Sequence, residues 1–257
     1  MAAVTPAPYL RQVATVDERI QDFGAYPYSI PFVKGLTLSF TSAVTFLVGE
    51  NGSGKSTLIE AIAEVCGLPV SGGSRAEAGA RHGPEQRSAL GSVLRPSFSK
   101  RPRDGYFLRA EFQAHFASLL EERRDDPEFL GDPYAIYGGR SLHTQSHGEA
   151  FLAVISNRMH DGLFIMDEPE AALSPQRQLS LLTRMSQLVD SGKTQFIIAT
   201  HSPILMTFPD AEIVTLDNLP PSRIGLRETS HYQITRGILE SPERYWKHLA
   251  DDAPSDD

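Results

Sequence analysis

Residues 44–57 read VTFLVGENGSGKST, an apolar run followed directly by a glycine-rich segment. The segment has the pattern G-x-x-x-x-G-K-[ST], and the apolar residues of LIEAIAEV after it predict a helix. A strand, a tight loop and a helix start in this order direct backbone N–H groups and the positive end of a helix dipole at one point. The sequence therefore predicts a phosphate-binding loop and disfavours a chance glycine-rich turn.

The loop also predicts which residues contact a nucleotide. Lys55 is expected to bridge the β- and γ-phosphates, Ser56 to ligate Mg²⁺, and Thr57 to contact the α-phosphate. ATP and Mg²⁺ are accordingly the expected ligands. The full set of predicted loop contacts is Gly49, Glu50, Asn51, Gly52, Ser53, Gly54, Lys55, Ser56 and Thr57.

A second apolar run, LFIMDEPE at 163–170, ends in two acids. Asp167 at the end of the predicted strand is expected to hold Mg²⁺ through water, together with Ser56. Glu168 is then placed to accept a proton from an attacking water molecule. An exposed acidic loop would be the better interpretation of this run alone, but the phosphate loop upstream favours the metal site.

A third run, QFIIAT at 195–200, ends at His201. Ligands of open α/β sheets bind at the carboxyl ends of parallel strands, where His201 would lie. Alone it would more often be a structural residue capping a turn. After the two motifs upstream, His201 becomes a candidate sensor that hydrogen-bonds the γ-phosphate and the attacking water.

The segment SHGEAF at 146–151 allows two interpretations. Ser146 and Glu149 stand three residues apart before an apolar run, which is the pattern of a capping box at a helix start. The same helix start could also face a phosphate group, because its N–H groups and dipole attract an anion.

Short, nearly continuous apolar runs alternate with helical patterns, which predicts an α/β fold with a mostly parallel sheet flanked by helices. Its predicted strands are 44–48, 163–166, 195–200 and 212–216, with LTLSF before residue 44 as an outer strand. Residues from about 67 to 145 are predicted to form an inserted helical subdomain, with GYFLRAEFQAHFASLLEE as its amphipathic helix. Residues 217–257 are a weakly patterned extension with an acidic, disordered end.

Composition narrows the class of protein. The 257 residues are expected to form one domain, and no apolar stretch approaches the ~20 residues of a membrane helix. The single Cys66 excludes an internal disulfide framework and suits the cytoplasm. The net charge of −8 makes a dedicated nucleic-acid binder the less favoured class, although RPSFSKRPRDG at 95–105 is basic.

The segments GENGSGKS, SHGE, IMDEPEAALS and IATHSP occur in this order, and together they resemble a stand-alone ABC-type ATPase of the AAA/SMC-like kind over roughly residues 30–216. In this resemblance Ser146, Gly148 and Glu149 match the signature loop, while His147 replaces its first glycine. The signature of one subunit faces the γ-phosphate of the other. The resemblance therefore implies an ATP-sandwiched homodimer with two sites.

Three positions depart from the family pattern. Ser174 stands where an aspartate usually crosses the dimer interface, and Pro175 after it favours a helix cap. The glutamine that contacts the γ-phosphate is not evident, with Gln113 and Glu111 as candidates. Tyr26, Tyr28 and Phe32 are candidates to stack on adenine, but packing in the core is favoured for each.

The expected function is Mg²⁺-dependent ATP hydrolysis, with Lys55, Glu168 and His201 as catalytic residues, coupled to dimer closure that acts on an unidentified protein partner. One alternative is a P-loop kinase that transfers phosphate to a small molecule. Another is a nucleotide-gated module that acts on DNA in repair or defence.

Overall fold

The computed structural model describes residues 7–74, 87–109, 124–125, 131–132, 134–135, 139 and 147–251. Within these residues the chain forms an α/β fold around a seven-stranded sheet in the order β10-β9-β3-β8-β7-β6-β4. The five strands from β9 to β6 run parallel, and β10 and β4 add antiparallel edges. The strands are β3 (Val44–Val48), β4 (Gly73–Ser74), β6 (Gly105–Arg109), β7 (Gly162–Asp167), β8 (Thr194–Ala199), β9 (Glu212–Thr215) and β10 (Ser222–Arg223).

Helices cover both faces of this sheet, which explains why its central strands are apolar on both sides. On β3, Leu47 packs into one core cluster with α1 (Lys55–Val65) and α2 (Ala89–Val93), whereas Phe46 faces the opposite cluster. That second cluster contains buried residues of α3 (His147–Arg158) and α4 (Pro175–Val189). The predicted α/β class and the predicted core strands are confirmed, with bounds that differ by one or two residues.

A second, three-stranded antiparallel sheet has the order β2-β1-β5. Its strands are β1 (Leu10–Thr15), β2 (Thr37–Ser39) and β5 (Leu94–Phe98). The predicted outer strand LTLSF is thus a strand, but it pairs with β1 and not with the central sheet. Buried residues of β1 and β2 pack into the same core cluster as α1.

The prediction of a helical insertion from about residue 67 is wrong for residues 87–109, which supply α2, β5 and β6. The first five residues of the predicted amphipathic helix are strand β6, which pairs in parallel with β7 from Gly105↔Leu163 to Arg109↔Asp167. Residues 110–123, the rest of that helix, lie outside the described residues. A short apolar run such as YFL fits either a strand or a buried helix. Pairing with β7 makes this run a strand.

The extension after residue 216 forms β10, a 3₁₀ turn (Leu226–Glu228), α5 (Ser230–Glu240) and α6 (Pro242–Asp251). The predicted disordered end after residue 251 lies outside the described residues. Among the described residues, no helix is both long enough and apolar enough to cross a bilayer.

Candidate active site

The glycine-rich loop connects the end of β3 to the start of α1, and its shape requires glycine at two positions. Gly52 and Gly54 have φ angles of +81° and +94°. Such left-handed conformations are strained for residues with a Cβ atom. At Gly54 a Cβ atom would in addition lie 3.0 Å from Cγ2 of Ile30. The loop can therefore turn sharply enough to direct its N–H groups and the N-terminus of α1 into one cleft.

Lys55, the first residue of α1, folds back over the loop. Its Nζ donates hydrogen bonds to the backbone oxygens of Gly49 at 2.7 Å and Glu50 at 2.9 Å. The residue is only 4% exposed. Burial lowers the pKa of Lys55, and nearby carboxylates, Glu168 foremost, oppose this shift. An ammonium held by carbonyl oxygens can exchange them for phosphate oxygens when a nucleotide binds.

Ser56 and Asp167 meet as predicted, although they lie far apart in the sequence. The Ser56 hydroxyl donates to Oδ1 of Asp167 at 3.3 Å, where β7 ends beside the start of α1. A hydroxyl and a carboxylate oxygen are donors that suit Mg²⁺. The two residues present therefore fit the metal that the loop implies.

Arg109 is a neighbour of Asp167 that sequence reasoning missed. It pairs with Asp167 across β6 and β7, with its Nε 3.9 Å from Oδ2 of Asp167. Its Nη1 lies 2.7 Å from Oε1 of Glu60 on α1. Arg109 therefore places positive charge beside the predicted metal ligand. It was missed because its segment was interpreted as a helix, in which residue 109 has no fixed position relative to Asp167.

Asp167 carries a perturbed carboxyl group. Burial raises its pKa to about 6, while the Arg109 guanidinium opposes the shift. The folded state thus holds a proton on Asp167 at a pH where the unfolded chain has lost it. This contribution to stability is complete below pH ~4 and is lost as the pH rises through about 6.

We expect Asp167→Asn to remove this pH dependence in the ligand-free protein. Asparagine keeps an oxygen acceptor for Ser56 but cannot ionise. Relative to the variant, the wild-type free energy of unfolding should fall by about 1–2 kcal/mol between about pH 5 and about pH 7.5. Urea denaturation at both pH values measures the difference. A constant difference between the two proteins would show that Asp167 has an ordinary pKa.

Glu168 and His201 come together at the ends of adjacent strands. β7 and β8 pair up to Asp167↔Ala199, so the residues that follow both strands leave the sheet at the same edge. Oε1 of Glu168 lies 3.3 Å from Nε2 of His201. Glu168 has a φ of +47°, a strained conformation for a non-glycine residue of a kind that clusters at active sites.

His201 is held by contacts on two further sides. Its backbone N–H donates to Oε1 of Glu170 at 2.5 Å. Its ring Nδ1 lies 2.7 Å from Nε2 of His231. Burial is the largest cause that lowers the pKa of His201, and the Lys55 charge adds to it. The imidazole is therefore biased toward its neutral form.

Tyr26 borders the cleft above the loop. Its hydroxyl hydrogen-bonds to Oγ1 of Thr57 at 2.7 Å, and the residue is 73% exposed. Phe32, by contrast, is buried and Tyr28 packs against the core. The favoured expectation that Tyr26 packs in the core is therefore wrong. The cleft has a volume of about 260 Å³ and is lined by Tyr26, Ile30, Asn51, Gly52, Gly54, Lys55, Ser56, Thr57 and Glu168.

The structure describes the signature segment only in part. Ser146 lies outside the described residues, as do Glu111 and Gln113, and α3 begins at His147. The predicted helix is thus present, and the cap at Ser146 stays a prediction. Gly148 lies in the first turn of α3, where the Glu149 side chain is 57% exposed and 3.7 Å from Nη2 of Arg177. Contact of this segment with a phosphate stays a prediction.

Ser174 is the N-cap of α4. Its hydroxyl accepts from the backbone N–H of Arg177 at 3.4 Å, with Pro175 as the first helical residue. The cap predicted from Ser174 and Pro175 is therefore present.

Asp217 is a further contact of the loop that sequence reasoning missed. Its Oδ1 accepts from the backbone N–H of Glu50 at 2.9 Å. Asp217 directly follows the predicted strand 212–216, so the signal that indicated Asp167, an acid after a buried strand, was also present here.

The loop between β3 and α1, the acid at the end of β7 and the parallel sheet together define a P-loop NTPase. A family model described as an AAA domain matches residues 19–110, and one described as an AAA ATPase domain matches residues 150–206. Each model matches part of the chain, and both agree with the P-loop motif and the α/β fold. Comparison with proteins of curated function finds no match.

Solved structures with similar folds include an ATP-binding cassette of an ABC transporter in its ADP conformation, with 14% identity and a TM-score of 0.49 over 95% of this chain and 99% of that chain. The SMC head domain from Thermotoga maritima has 16% identity and a TM-score of 0.43 over 85% and 99% of the two chains. A protein described as a metal-chelate type ABC transporter has 16% identity and a TM-score of 0.47 over 77% and 79%.

Proposed function

We propose that this protein binds ATP with Mg²⁺ and hydrolyses the bond between the β- and γ-phosphates, with water as the acceptor. The observation that carries the proposal is the position of Glu168 and His201. They lie 3.3 Å apart at the sheet edge where Ser56 meets Asp167. A phosphate-binding loop and a metal site thus adjoin a base and a hydrogen-bond donor.

Each group of residues has a separate role in the proposed reaction. The loop N–H groups and Lys55 bind the phosphates, and Ser56 and Asp167 would hold Mg²⁺, which neutralises phosphate charge when bound. Glu168 accepts a proton from water as the water oxygen bonds to the γ-phosphorus. The bond to the bridging oxygen breaks, and ADP and phosphate leave. His201 donates from Nε2 to the γ-phosphate, where charge develops.

We also propose Tyr26 as the residue that contacts the adenine base. The exposed Tyr26 ring stands at the cleft and is held by Thr57, the residue predicted to lie near the α-phosphate. An aromatic ring on a base contributes binding energy without requiring particular hydrogen bonds.

The functional unit in this proposal is a pair of chains closed on two ATP molecules. Family resemblance makes the segment 146–149 the part that faces the γ-phosphate of the other chain. The side chain of Glu149 in the first turn of α3 is 57% exposed, which supports this. We propose that closure and opening act on an unidentified protein partner.

The test is ATP turnover with no added acceptor. If water is the acceptor, the purified chain with Mg²⁺ should release phosphate and ADP in equal amounts, and chelation of Mg²⁺ should stop it. Serine in place of Asp167 and glutamine in place of Glu168 should each abolish turnover. Turnover that begins only when a small-molecule acceptor is added would instead favour a kinase.

A further inference from the structure

The extension after residue 216 contacts His201 of the active site through His231. Its Nε2 lies 2.7 Å from Nδ1 of His201, and the two rings meet edge to face with centroids 4.8 Å apart. Below the start of α5 lies a cavity of about 200 Å³, lined by residues of both the extension and the loop, including His231 and Gly49. The extension is thus part of the wall of the site.

The start of α5 is held firmly where it meets the site. Thr229 is 2% exposed and caps the helix, with its Oγ1 accepting from the backbone N–H of Tyr232 at 3.2 Å. Ser230 lies with its Oγ 3.5 Å from Oε1 of Glu50 in the loop. His231, the next residue, therefore has a defined position relative to both the loop and His201.

The contact between the two imidazoles restricts their tautomers. In a neutral pair, one ring nitrogen must donate and the other must accept. The 2.7 Å between Nδ1 of His201 and Nε2 of His231 leaves room for one proton between the two nitrogens. Burial favours the neutral form of His201 by lowering its pKa. One proton is therefore shared between Nδ1 of His201 and Nε2 of His231.

The carboxylate on the other side of His201 selects the donor. Nε2 of His201 lies 3.3 Å from Oε1 of Glu168, and a carboxylate oxygen attracts an N–H group and repels a bare nitrogen lone pair. With the proton on Nε2, Nδ1 of a neutral His201 can only accept. His231 is then the donor, through its own Nε2–H.

Apart from Glu168, Nε2 of His201 has no hydrogen-bond partner among the residues that the structure describes. Its proton therefore lies on the side of the ring that faces Glu168. The arrangement runs from the extension through His231 to His201 and ends at the cleft beside Glu168.

We propose that His231 is a positioning residue that keeps His201 in the Nε2–H tautomer, with that N–H directed at the γ-phosphate and Glu168. The role in hydrolysis rests on the proposed ATPase function. His231 does not contact the nucleotide in this proposal. Without its donor, His201 can move its proton to Nδ1 and present a lone pair to Glu168 and to the phosphate.

Three substitutions at residue 231 separate this role from simple packing. Glutamine keeps an N–H donor at the same reach, leucine fills space without a hydrogen bond, and glutamate offers only an acceptor when ionised. The matched control is His160→Leu, because His160 is also a histidine but its side chain is exposed. Each variant is compared with the wild type by circular dichroism to confirm folding.

The first readout does not depend on ATP. Long-range ¹H–¹⁵N spectra distinguish protonated from bare ring nitrogens, and His201→Gln assigns the His201 signals. We expect the Nε2–H tautomer in the wild type and His231→Gln, a mixture in His231→Leu, and the Nδ1–H form in His231→Glu. An Nδ1–H tautomer in the wild type, or an unchanged His201 in all three variants, would overturn the proposal.

The second readout is steady-state hydrolysis. His231→Leu and His231→Glu should lower kcat by roughly 10-fold to 100-fold and leave KM for ATP within about twofold, because the lost contact acts on the reacting state. His231→Gln should recover most of kcat. Equal losses of kcat in His231→Gln and His231→Leu would mean that the His231 ring contributes by packing and not by donating a hydrogen bond. A wild type with the expected tautomers but no ATP turnover would refute the proposed function and leave the histidine contact intact.

Discussion

Glu168→Gln is expected to lower kcat for ATP hydrolysis by about 10²-fold to 10⁴-fold while ATP still binds. Glutamine has the size of glutamate but cannot accept a proton from water, so the step at the γ-phosphate is slowed. It also removes one negative charge beside the bound phosphates. Phosphate release in steady state and ATP binding by calorimetry measure the two quantities separately.

The same variant tests the proposed pair of chains. With hydrolysis blocked, ATP and Mg²⁺ should hold two copies closed, and light scattering should give twice the mass of the chain. The matched control is Glu243→Gln, an exposed glutamate on α6, which should hydrolyse ATP like the wild type. A Glu168→Gln protein that binds ATP and stays monomeric would contradict the sandwich arrangement.

Lys55→Met is expected to raise the dissociation constant for ATP by at least about 10²-fold. Lys55 supplies the ammonium group nearest the loop oxygens, with Nζ bound to Gly49 and Glu50. Methionine fills the same buried space, so the fold should persist. Loss of the Lys55 ammonium also leaves the carboxylates of Glu168, Asp217 and Asp167 with less compensating positive charge. The site then binds an anionic ligand less well.

Calorimetry with a slowly hydrolysed ATP analogue measures the affinity, and thermal unfolding without nucleotide confirms that the variant is folded. Lys34→Met is the control, because Lys34 is exposed and lies outside the loop. Wild-type affinity in Lys55→Met would show that the ammonium does not contact the phosphates.

The parts of the site that could be predicted lie in continuous motifs. The loop at 49–57 carries its own geometry, because a strand, glycines and a helix start follow one another without help from distant residues. Asp167, Glu168 and His201 follow buried strands, and parallel strands place their carboxyl ends at one edge. Local pattern and general sheet geometry were enough for these residues.

The parts that could not be predicted depend on which segments become neighbours. Residues 105–109 are a short apolar run that fits a strand or a buried helix, and only pairing with β7 makes them a strand. That pairing also places Arg109 beside Asp167. Without the pairing, the sequence contains no signal that relates the two residues.

His231 shows the same limit more clearly. It lies in a segment of weak pattern, thirty positions beyond His201, and nothing in its surroundings distinguishes it from a surface histidine. Two rings approach within hydrogen-bond distance only because β9, β10 and the turn before α5 carry the chain back over the loop.

By itself the sequence determined the α/β class, the phosphate-binding loop, the two acids at the end of β7 and the candidate histidine after β8. Short-range chemistry is sufficient there, because each motif orders its own backbone. Only the tertiary structure decided that β6 belongs to the sheet, that Tyr26 is at the cleft and that the extension contacts His201. Those contacts form between segments that are far apart in the chain. A single sequence contains no local pattern that relates residues at such separations.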